Sequence, residues 1–240
     1  MTENTVRTHF DKDQEARTLL ERSNINSPTG KAGQIVREME QRLILGYYRP
    51  GESLSFKMLA DAFNVSRQPV SAAISHLRAS GYVEVLPQVG CRVVKPSRTE
   101  IDDFFFVLSK IDGAVASLAA ARHTEEEGRQ LAMIRPPSEI DMLDDVLHRK
   151  AYISYIDRFH DQIWRMARSP LLQAQFYNLR NLSSFYLWQG LPKLAPSAAL
   201  QLINERDDIA QAILNRDAAG AAAKMEKHIL GKPDLAGVSG

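Results

Sequence analysis

The chain has 240 residues, of which 44% are hydrophobic and 25% charged, and its formal net charge is +1. This length suits two modest domains with buried cores. The sequence contains no apolar run of the ~20 residues that a membrane span requires, and its start is too polar for a signal peptide. Its single cysteine, Cys91, excludes an internal disulfide. We therefore expect a cytoplasmic protein, in which Cys91 is either redox-active or simply a small strand residue.

Basic residues are concentrated in one block of the chain. The stretch from Lys31 to Arg98 contains ten Lys or Arg and five Asp or Glu, a net charge of +5, so the remainder carries −4. Because a basic block attracts phosphate, this distribution favours a nucleic-acid contact there. Residues 1–30 are interpreted as an N-terminal arm and linker, because Asn24 to Gly30 are mostly turn-forming types.

Apolar spacing predicts three helices in the basic block. Residues 32–45 form the first, and the second carries Met58, Leu59, Ala62 and Phe63 on one side before a turn at Asn64 and Val65. Ser66 suits the N-cap of the third helix, since its hydroxyl can accept a bond from an unpaired backbone N–H. The inward positions of that helix are Val70, Ala73, Ile74 and Leu77, and its other face presents Arg67, Gln68 and Ser71.

Two short strands follow the third helix. Gly81 ends the helix, Tyr82 to Val85 read as one strand, and Cys91 to Val94 return as a second after a turn at Pro87–Gly90. The order helix, turn, helix and two-stranded wing is that of winged helix-turn-helix modules, which place the start of such a helix against base edges in the major groove. The sequence therefore predicts a DNA-binding domain over residues 31–96.

The same stretch resembles the N-terminal domain of GntR-superfamily transcription regulators. The resemblance is carried by Gly46–Gly51, Leu59-Ala60, Asn64–Val70 and Gly81–Val83. It implies base or phosphate contact by Arg67, backbone contact by Lys57 and a wing tip that reaches toward the minor groove. Ser71-Ala72 stand where relatives often carry Arg-Glu, so an operator preference does not transfer. The DNA-binding residues predicted in this way are Lys57, Ser66, Arg67, Gln68, Ser71, Gln88 and Gly90.

After Pro96 the pattern is helical throughout, which predicts a mostly α protein with an all-helical second domain over residues 97–232 and a loose tail over 233–240. The expected helices span residues 99–122, 139–167, 169–188, 197–215 and 217–230, with a loop at 190–196. This part resembles the FCD-type effector-binding domain of the FadR-like branch. The resemblance rests on Arg158–His160, Ala167–Leu172, Glu205-Arg206 and Met225–Ile229.

Many FCD domains hold a metal through one Asp and three His, and the resemblance carries only part of that set to this chain. His160 and His228 are present, whereas Ile156 stands at the Asp position, beside Asp157, and Arg206 stands at the middle His position. An arginine carries a permanent positive charge and cannot ligate a metal. A complete four-ligand site is therefore absent, and no cofactor is required.

Three interpretations of this region remain open. Arg206 can replace the charge of the metal and bind a carboxylate or phosphate effector, within a site of Asp157, His160, Arg180, Arg206 and His228. A reduced metal site of Asp157, His160 and His228 is the second interpretation, opposed by the charge of Arg206. In the third, Arg206 is solvated and the histidines are ordinary core residues. Asn181, Tyr177 and Trp164 could line the cavity.

The sequence thus predicts a homodimeric transcription regulator that recognises an inverted repeat, because a two-fold dimer copies its symmetry into the operator. An acidic metabolite in the helical domain would shift the population between DNA-binding states. Repression is the commoner outcome among relatives. The alternatives are a metal-dependent hydrolase built on Asp157, His160 and His228, or a helical scaffold that does not bind DNA.

Overall fold

The computed structural model describes residues 28–138, 146–190 and 195–235. The chain divides into two compact units, one ending at Lys95 and the other beginning at Pro96. The predictions for residues 1–27, for the start of the helix at 139–145, for the loop at 191–194 and for the tail at 236–240 lie outside the described residues.

The first unit contains three helices. They are α1 (Gly30–Ile44), α2 (Phe56–Phe63) and α3 (Arg67–Ala79). The apolar faces of α1 and α3 enclose the core, with Val36, Met39 and Leu43 of α1 and Val70 and Leu77 of α3 all completely buried. Burial of such faces is the main driving force for this arrangement, at about 25 cal/mol per Å² of apolar surface.

The turn between α2 and α3 depends on Asn64. This residue adopts a left-handed conformation with φ of 50°, which Asn tolerates better than most residues. The N-cap prediction for Ser66 is wrong in one respect, because Ser66 occupies the N-cap position of α3 but its side chain makes no capping hydrogen bond. It is Ser55 that caps a helix here, since its hydroxyl accepts from the Met58 backbone N–H at 3.0 Å.

The sheet has three strands rather than the two expected. They are β1 (Ser53–Ser55), β2 (Val83–Leu86) and β3 (Gly90–Val93), in the order β1-β3-β2 with both pairings antiparallel. Leu54 of β1 pairs with Cys91, and Val85 of β2 pairs with the same residue from the other side. Strand β1 was not predicted, because three residues are too few to show an alternating pattern.

The second unit is built only of helices in the described residues. They are α4 (Arg98–Arg122), α5 (Glu125–Ala132), α6 (Val146–Ala167), α7 (Pro170–Gly190), α8 (Pro196–Leu214), α9 (Ala218–Leu230) and the short α10 (Lys232–Leu235). Helix α5 lies between the helices expected at residues 99–122 and 139–167, where the sequence pattern predicted no definite element. Its start is fixed by a capping box, in which the Thr124 hydroxyl accepts from the Glu127 backbone N–H and Glu127 accepts from Thr124.

Helix α4 is the core helix of this unit. Its inward side chains include Phe105, Leu108, Val115 and Ala119, and they pack with Phe159 and with residues of α8 and α9 in one apolar cluster. By length and composition α4 is apolar enough to cross a membrane, so the expectation that the chain has no such stretch is wrong. Half of the relevant window is buried inside the unit, as in core helices of globular proteins.

Candidate DNA interface and effector site

Arg67 lies where three elements of the first unit meet. It is the first residue of α3, its Nη2 donates to the Gln88 carbonyl at 3.3 Å, and its guanidinium carbon lies 4.9 Å from the ring centre of Phe56 at the start of α2. The hydrogen bond is long and exposed, and the ring contact is worth about 0.5–1 kcal/mol at such a site. Arg67 is therefore held loosely at the surface.

Arg67 also lines a notch of about 330 Å³ between the wing tip and the two helices. Lys57 and Gln88, both predicted DNA contacts, line the same notch, and its other walls are Ser55, Phe56, Ala60 and Val89. Two cationic side chains at one concavity create a local positive potential that suits a phosphate group.

The start of α3 is the second feature of this surface. Ser66, Gln68 and Ser71 are all exposed, and the Ser66 side chain makes no capping hydrogen bond. The free N–H groups of a helix N-terminus and the positive end of its dipole attract anions. The first turn of α3 thus presents backbone donors together with the side chains predicted to contact DNA.

The wing tip contains Gln88, Val89 and Gly90. Gln88 adopts a left-handed conformation with φ of 62°, and Val89 is 60% exposed. Gly90 is buried, and a Cβ atom there would lie 2.0 Å from the Leu54 carbonyl oxygen. The structure therefore gives Gly90 a packing role between β3 and β1, while Gln88 and Val89 form the exposed part of the tip.

Cys91 lies inside this wing. Its side chain is fully buried, and burial raises the pKa of its thiol to about 12. Because the thiolate is the reactive form, a thiol that stays protonated is inert. This favours the second interpretation from the sequence, that Cys91 is a small strand residue.

In the second unit, seven ionisable side chains form what we call the buried polar cluster. Apart from Glu205, none is more than 4% exposed. Helices α4, α6, α7, α9 and α10 contribute one residue each and α8 contributes two. The members are Asp112, His160, Arg180, Glu205, Arg206, His228 and Lys232.

Asp112 organises one side of the cluster. Its carboxylate accepts from Arg180 Nη1 at 2.7 Å and from Trp164 Nε1 at 3.3 Å. The His160 Nδ1 atom lies 3.9 Å from the same carboxylate, which is too long for a hydrogen bond. Arg180 therefore has its counter-ion within the protein.

Arg206 is different, because no carboxylate forms an ion pair with it among the residues described. Its Nη1 donates to the Tyr152 hydroxyl at 3.4 Å, and its guanidinium carbon lies 5.8 Å and 5.4 Å from the ring centres of Tyr152 and Tyr155. Its Nε atom has no hydrogen-bond partner, although Arg206 is only 1% exposed. A buried charge without a counter-ion is costly.

The two histidines lie next to each other, with ring centres 6.1 Å apart and planes inclined by 26°. Burial, and then the nearby cations, hold the pKa of both rings well below the ordinary value, so both are neutral. The His228 Nδ1 atom lies 2.8 Å from a Glu205 carboxylate oxygen, to which we assign it as the donor. The Nε2 atoms of both rings have no partner.

The reduced metal site is not assembled in the part of the chain that the structure describes. No three His, Cys, Asp or Glu side chains there are grouped as metal ligands would be. Asp157 is buried on the same helix as His160, but the carboxylates near the two histidines are Asp112 and Glu205. The third interpretation is also wrong in part, because Arg206 is not solvated.

Comparison with known proteins agrees with both units. Residues 31–93 match the family of bacterial regulatory proteins described as gntR, and residues 103–231, more than half of the chain, match the FCD domain. The chain belongs to the GntR family of transcription regulators, in the branch with an FCD domain. This confirms the resemblance and the mostly α fold with an N-terminal winged helix-turn-helix.

Curated relatives of this GntR-family chain are transcription regulators. The repressor RspR of Escherichia coli is 28% identical over 200 residues, which cover 82% of this chain and 84% of RspR. The repressor GlaR of the same organism is 27% identical over 208 residues, covering 81% of this chain and 90% of GlaR.

Two solved structures share the fold. The E. coli protein McbR/YncC has a TM-score of 0.70 at 17% identity and covers 87% of this chain and 98% of its own. A GntR regulator from Rhodococcus sp. RHA1 has a TM-score of 0.64 at 19% identity, covering 85% of this chain and 99% of its own.

Sequence reasoning missed several residues of the effector domain of this GntR-family chain. Asp112 is the lone acid in the apolar stretch from Leu108 to Ala121, a pattern that indicates a buried functional carboxylate. Lys232 lies between Gly231 and Pro233, two residues typical of a helix end, and this context hides it as a site residue. Of the predicted lining residues, Trp164 and Asn181 are buried, whereas the side chain of Tyr177 lies outside the described residues.

Proposed function

We propose that this regulator is a repressor that binds an inverted-repeat operator as a homodimer and responds to a small organic acid held by the buried polar cluster. The observation that carries the effector part is Arg206, a fully buried cation without a carboxylate partner among the described residues. A ligand carboxylate would form the direct ion pair that Arg206 lacks. An Arg fork matches the two oxygens of such a group, and charge-assisted pairs are among the strongest hydrogen bonds.

Buried nitrogen atoms without hydrogen-bond partners support the same proposal. The Nε2 atoms of His160 and His228 are buried without partners, as is the Nε atom of Arg180. Buried polar atoms normally find partners, so several unpartnered atoms in one cluster favour a polar ligand. The Arg180 Nε donor suits a carboxylate oxygen, whereas the His228 Nε2 atom, whose ring carries its proton on Nδ1, is an acceptor and suits a ligand hydroxyl group. Asp157 completes the proposed set only as a neighbour of His160 on α6.

The acid site is tested by thermal unfolding with a series of carboxylates (acetate, lactate, malonate and succinate). A ligand that binds only the native form at 100 times its Kd adds about 2.7 kcal/mol to the free energy of unfolding. We expect at least one of these carboxylates to raise the Tm of the wild type and to leave the Tm of the Arg206→Met variant unchanged. Arg158→Met, which removes an exposed arginine on α6, is the matched control and keeps the response. A response that survives in Arg206→Met contradicts the proposed site.

Contact with DNA is proposed through Lys57, Ser66, Arg67, Gln68, Ser71 and the tip residue Gln88. The notch shared by Lys57 and Arg67 suits a phosphate, and the exposed face of α3 suits base edges. We propose no base contact for Gly90, since its backbone packs against Leu54.

Two-fold recognition requires a second copy of the chain, and the outer face of α4 suits that contact. Phe106 and Val107 are 55% and 54% exposed, and Asp103 and Lys110 flank them with opposite charges. A second copy related by a two-fold axis can cover the apolar pair, while Lys110 stays paired with Glu226 of its own chain. We expect a solution mass of about twice the 26.9 kDa of one chain, measured by light scattering.

Coupling between effector and DNA is proposed to run through α4. This helix begins at Arg98, five residues after β3 ends at Val93, and it contributes Asp112 to the cluster. A ligand that competes for Arg180 would disturb the Asp112 pair and favour another packing of α4. The names of the relatives favour repression, a non-enzymatic role and a cytoplasmic location.

A further inference from the structure

Lys232 is the member of the buried polar cluster to which neither the sequence nor the proposed function assigns a role. It is 2% exposed on α10, four residues after His228. No hydrogen bond or ion pair to its ammonium group forms among the residues that the structure describes. Its acidic neighbour on α10, Asp234, is exposed and pairs with Arg98 instead.

The charges that face Lys232 come from three helices. Asp112 of α4 and Glu205 of α8 are negative, and Arg180 of α7 and Arg206 of α8 are positive. Two further neighbours, His160 of α6 and His228 of α9, are neutral. The two acids and two arginines therefore balance, and a charged Lys232 would leave the cluster with one positive charge in excess.

Burial, followed by the charges of Arg180 and Arg206, holds the pKa of Lys232 well below its ordinary value. The excess positive charge that an ammonium group would bring to this buried site favours the neutral amine in the free protein, and the balance then holds. An entering carboxylate reverses the situation, because the cluster would then carry one uncompensated negative charge in a medium of low dielectric constant. A nearby neutral base can remove that excess by taking a proton.

We infer that Lys232 completes the acid site and takes up a proton from solvent when a carboxylate binds. The inference rests on the proposed function. The amine becomes an ammonium group beside the bound anion, so ligand and proton enter together and the net charge of the cluster stays at zero. Of the three neutral bases, Lys232 has the highest ordinary pKa, so above neutral pH it is the one that stays charged in the complex.

The consequence is an effector affinity that depends on pH. Lys232 gains its proton only in the complex, so the protein takes up about one proton for each ligand that it binds. The effector affinity therefore falls about tenfold for each unit by which the pH rises. This applies at pH values between the lowered pKa of the free protein and the raised pKa of the complex. Carboxylates are fully ionised above pH 7, so the ligand itself contributes nothing to this dependence.

The experiment is calorimetry at pH 8 in Tris and in HEPES, with whichever of acetate, lactate, malonate and succinate raises the Tm most. The difference in heat between the two buffers gives the number of protons taken up per bound ligand. The wild type is expected to take up about one proton. Lys232→Met is expected to bind more weakly without uptake, and Lys232→Arg to bind without uptake because an arginine is already charged. Lys227→Met, an exposed change on α9, is the control and keeps the uptake.

Binding by the wild type without proton uptake overturns the inference and leaves the acid site of Arg206 standing. Uptake that persists in Lys232→Met or Lys232→Arg overturns it as well. If no carboxylate binds the wild type, the proposed function itself is wrong. The wild-type measurement decides the main point even if a variant does not fold.

Discussion

Arg67 is the residue on which DNA recognition is expected to depend most. Its contacts within the protein, a 3.3 Å hydrogen bond to the Gln88 carbonyl and the ring of Phe56, are weak enough to be exchanged for a base or phosphate. We predict that Arg67→Ala weakens specific DNA binding by about 1–3 kcal/mol. The measurement is fluorescence anisotropy with a specific DNA fragment. Arg78→Ala, an exposed change near the other end of α3, is the control, and equal losses in both variants would remove Arg67 from the interface.

Glu40 makes the stability of the first unit depend on pH. It is 6% exposed on α1, its Oε1 atom has no partner, and burial raises the pKa of its carboxyl to about 7. The unfolded chain loses this proton near the ordinary value of 4.5, so the native state loses stability as the pH rises from there to about 7 and then stays at the lower level.

We therefore predict that Glu40→Gln raises the free energy of unfolding at pH 8 by about 1–3 kcal/mol and has little effect below pH ~4.5. Urea unfolding at the two pH values measures it. Glu38→Gln is the control on the same helix, since Glu38 pairs with Arg42 at 2.7 Å and should bring no gain. A gain of equal size at both pH values would show that titration of Glu40 is not the cause.

At the scale of elements, the close packing of α4 against α9 depends on a glycine. A Cβ atom on Gly113 would lie 2.6 Å from Glu226 Cγ and 3.2 Å from the Ala222 carbonyl oxygen. We predict that Gly113→Val forces the helices apart and destabilises the second unit by about 1–3 kcal/mol, measured by thermal unfolding. Ala114→Val places the same side chain on the exposed side of α4 and should cost only a few tenths of a kcal/mol. Similar costs for the two variants would contradict tight packing at Gly113.

The elements themselves were largely predictable. Apolar residues at helical spacing, such as Ile35, Met39 and Leu43, predict a helix with one buried face, and all three are buried in the structure. Short elements were not, because β1 spans three residues and is stabilised by its pairing with β3 rather than by its own sequence. The prediction of a capping hydrogen bond at Ser66 was wrong for a related reason. A serine at the N-cap position does not ensure that its hydroxyl accepts a bond from the helix backbone.

The candidate effector site was predictable only in part, because it is a property of the whole helical unit. His160, Arg206 and His228 were found by their places in a family pattern, and the structure brings them into one cluster. Asp112 and Lys232 come from helices at opposite ends of the unit's sequence, and no local pattern relates them. The roles proposed for them are argued from burial and charge balance, which only the folded chain defines.

The central claim, that this chain is a DNA-binding regulator with two-fold symmetry, is tested most directly by selection of genomic fragments from its source organism in vitro. Fragments retained by the wild-type protein in the presence of excess competitor DNA are sequenced. We expect these fragments to share an inverted repeat that the Arg67→Ala protein does not enrich. Retained fragments without any common site, or the same enrichment by both proteins, would contradict the account.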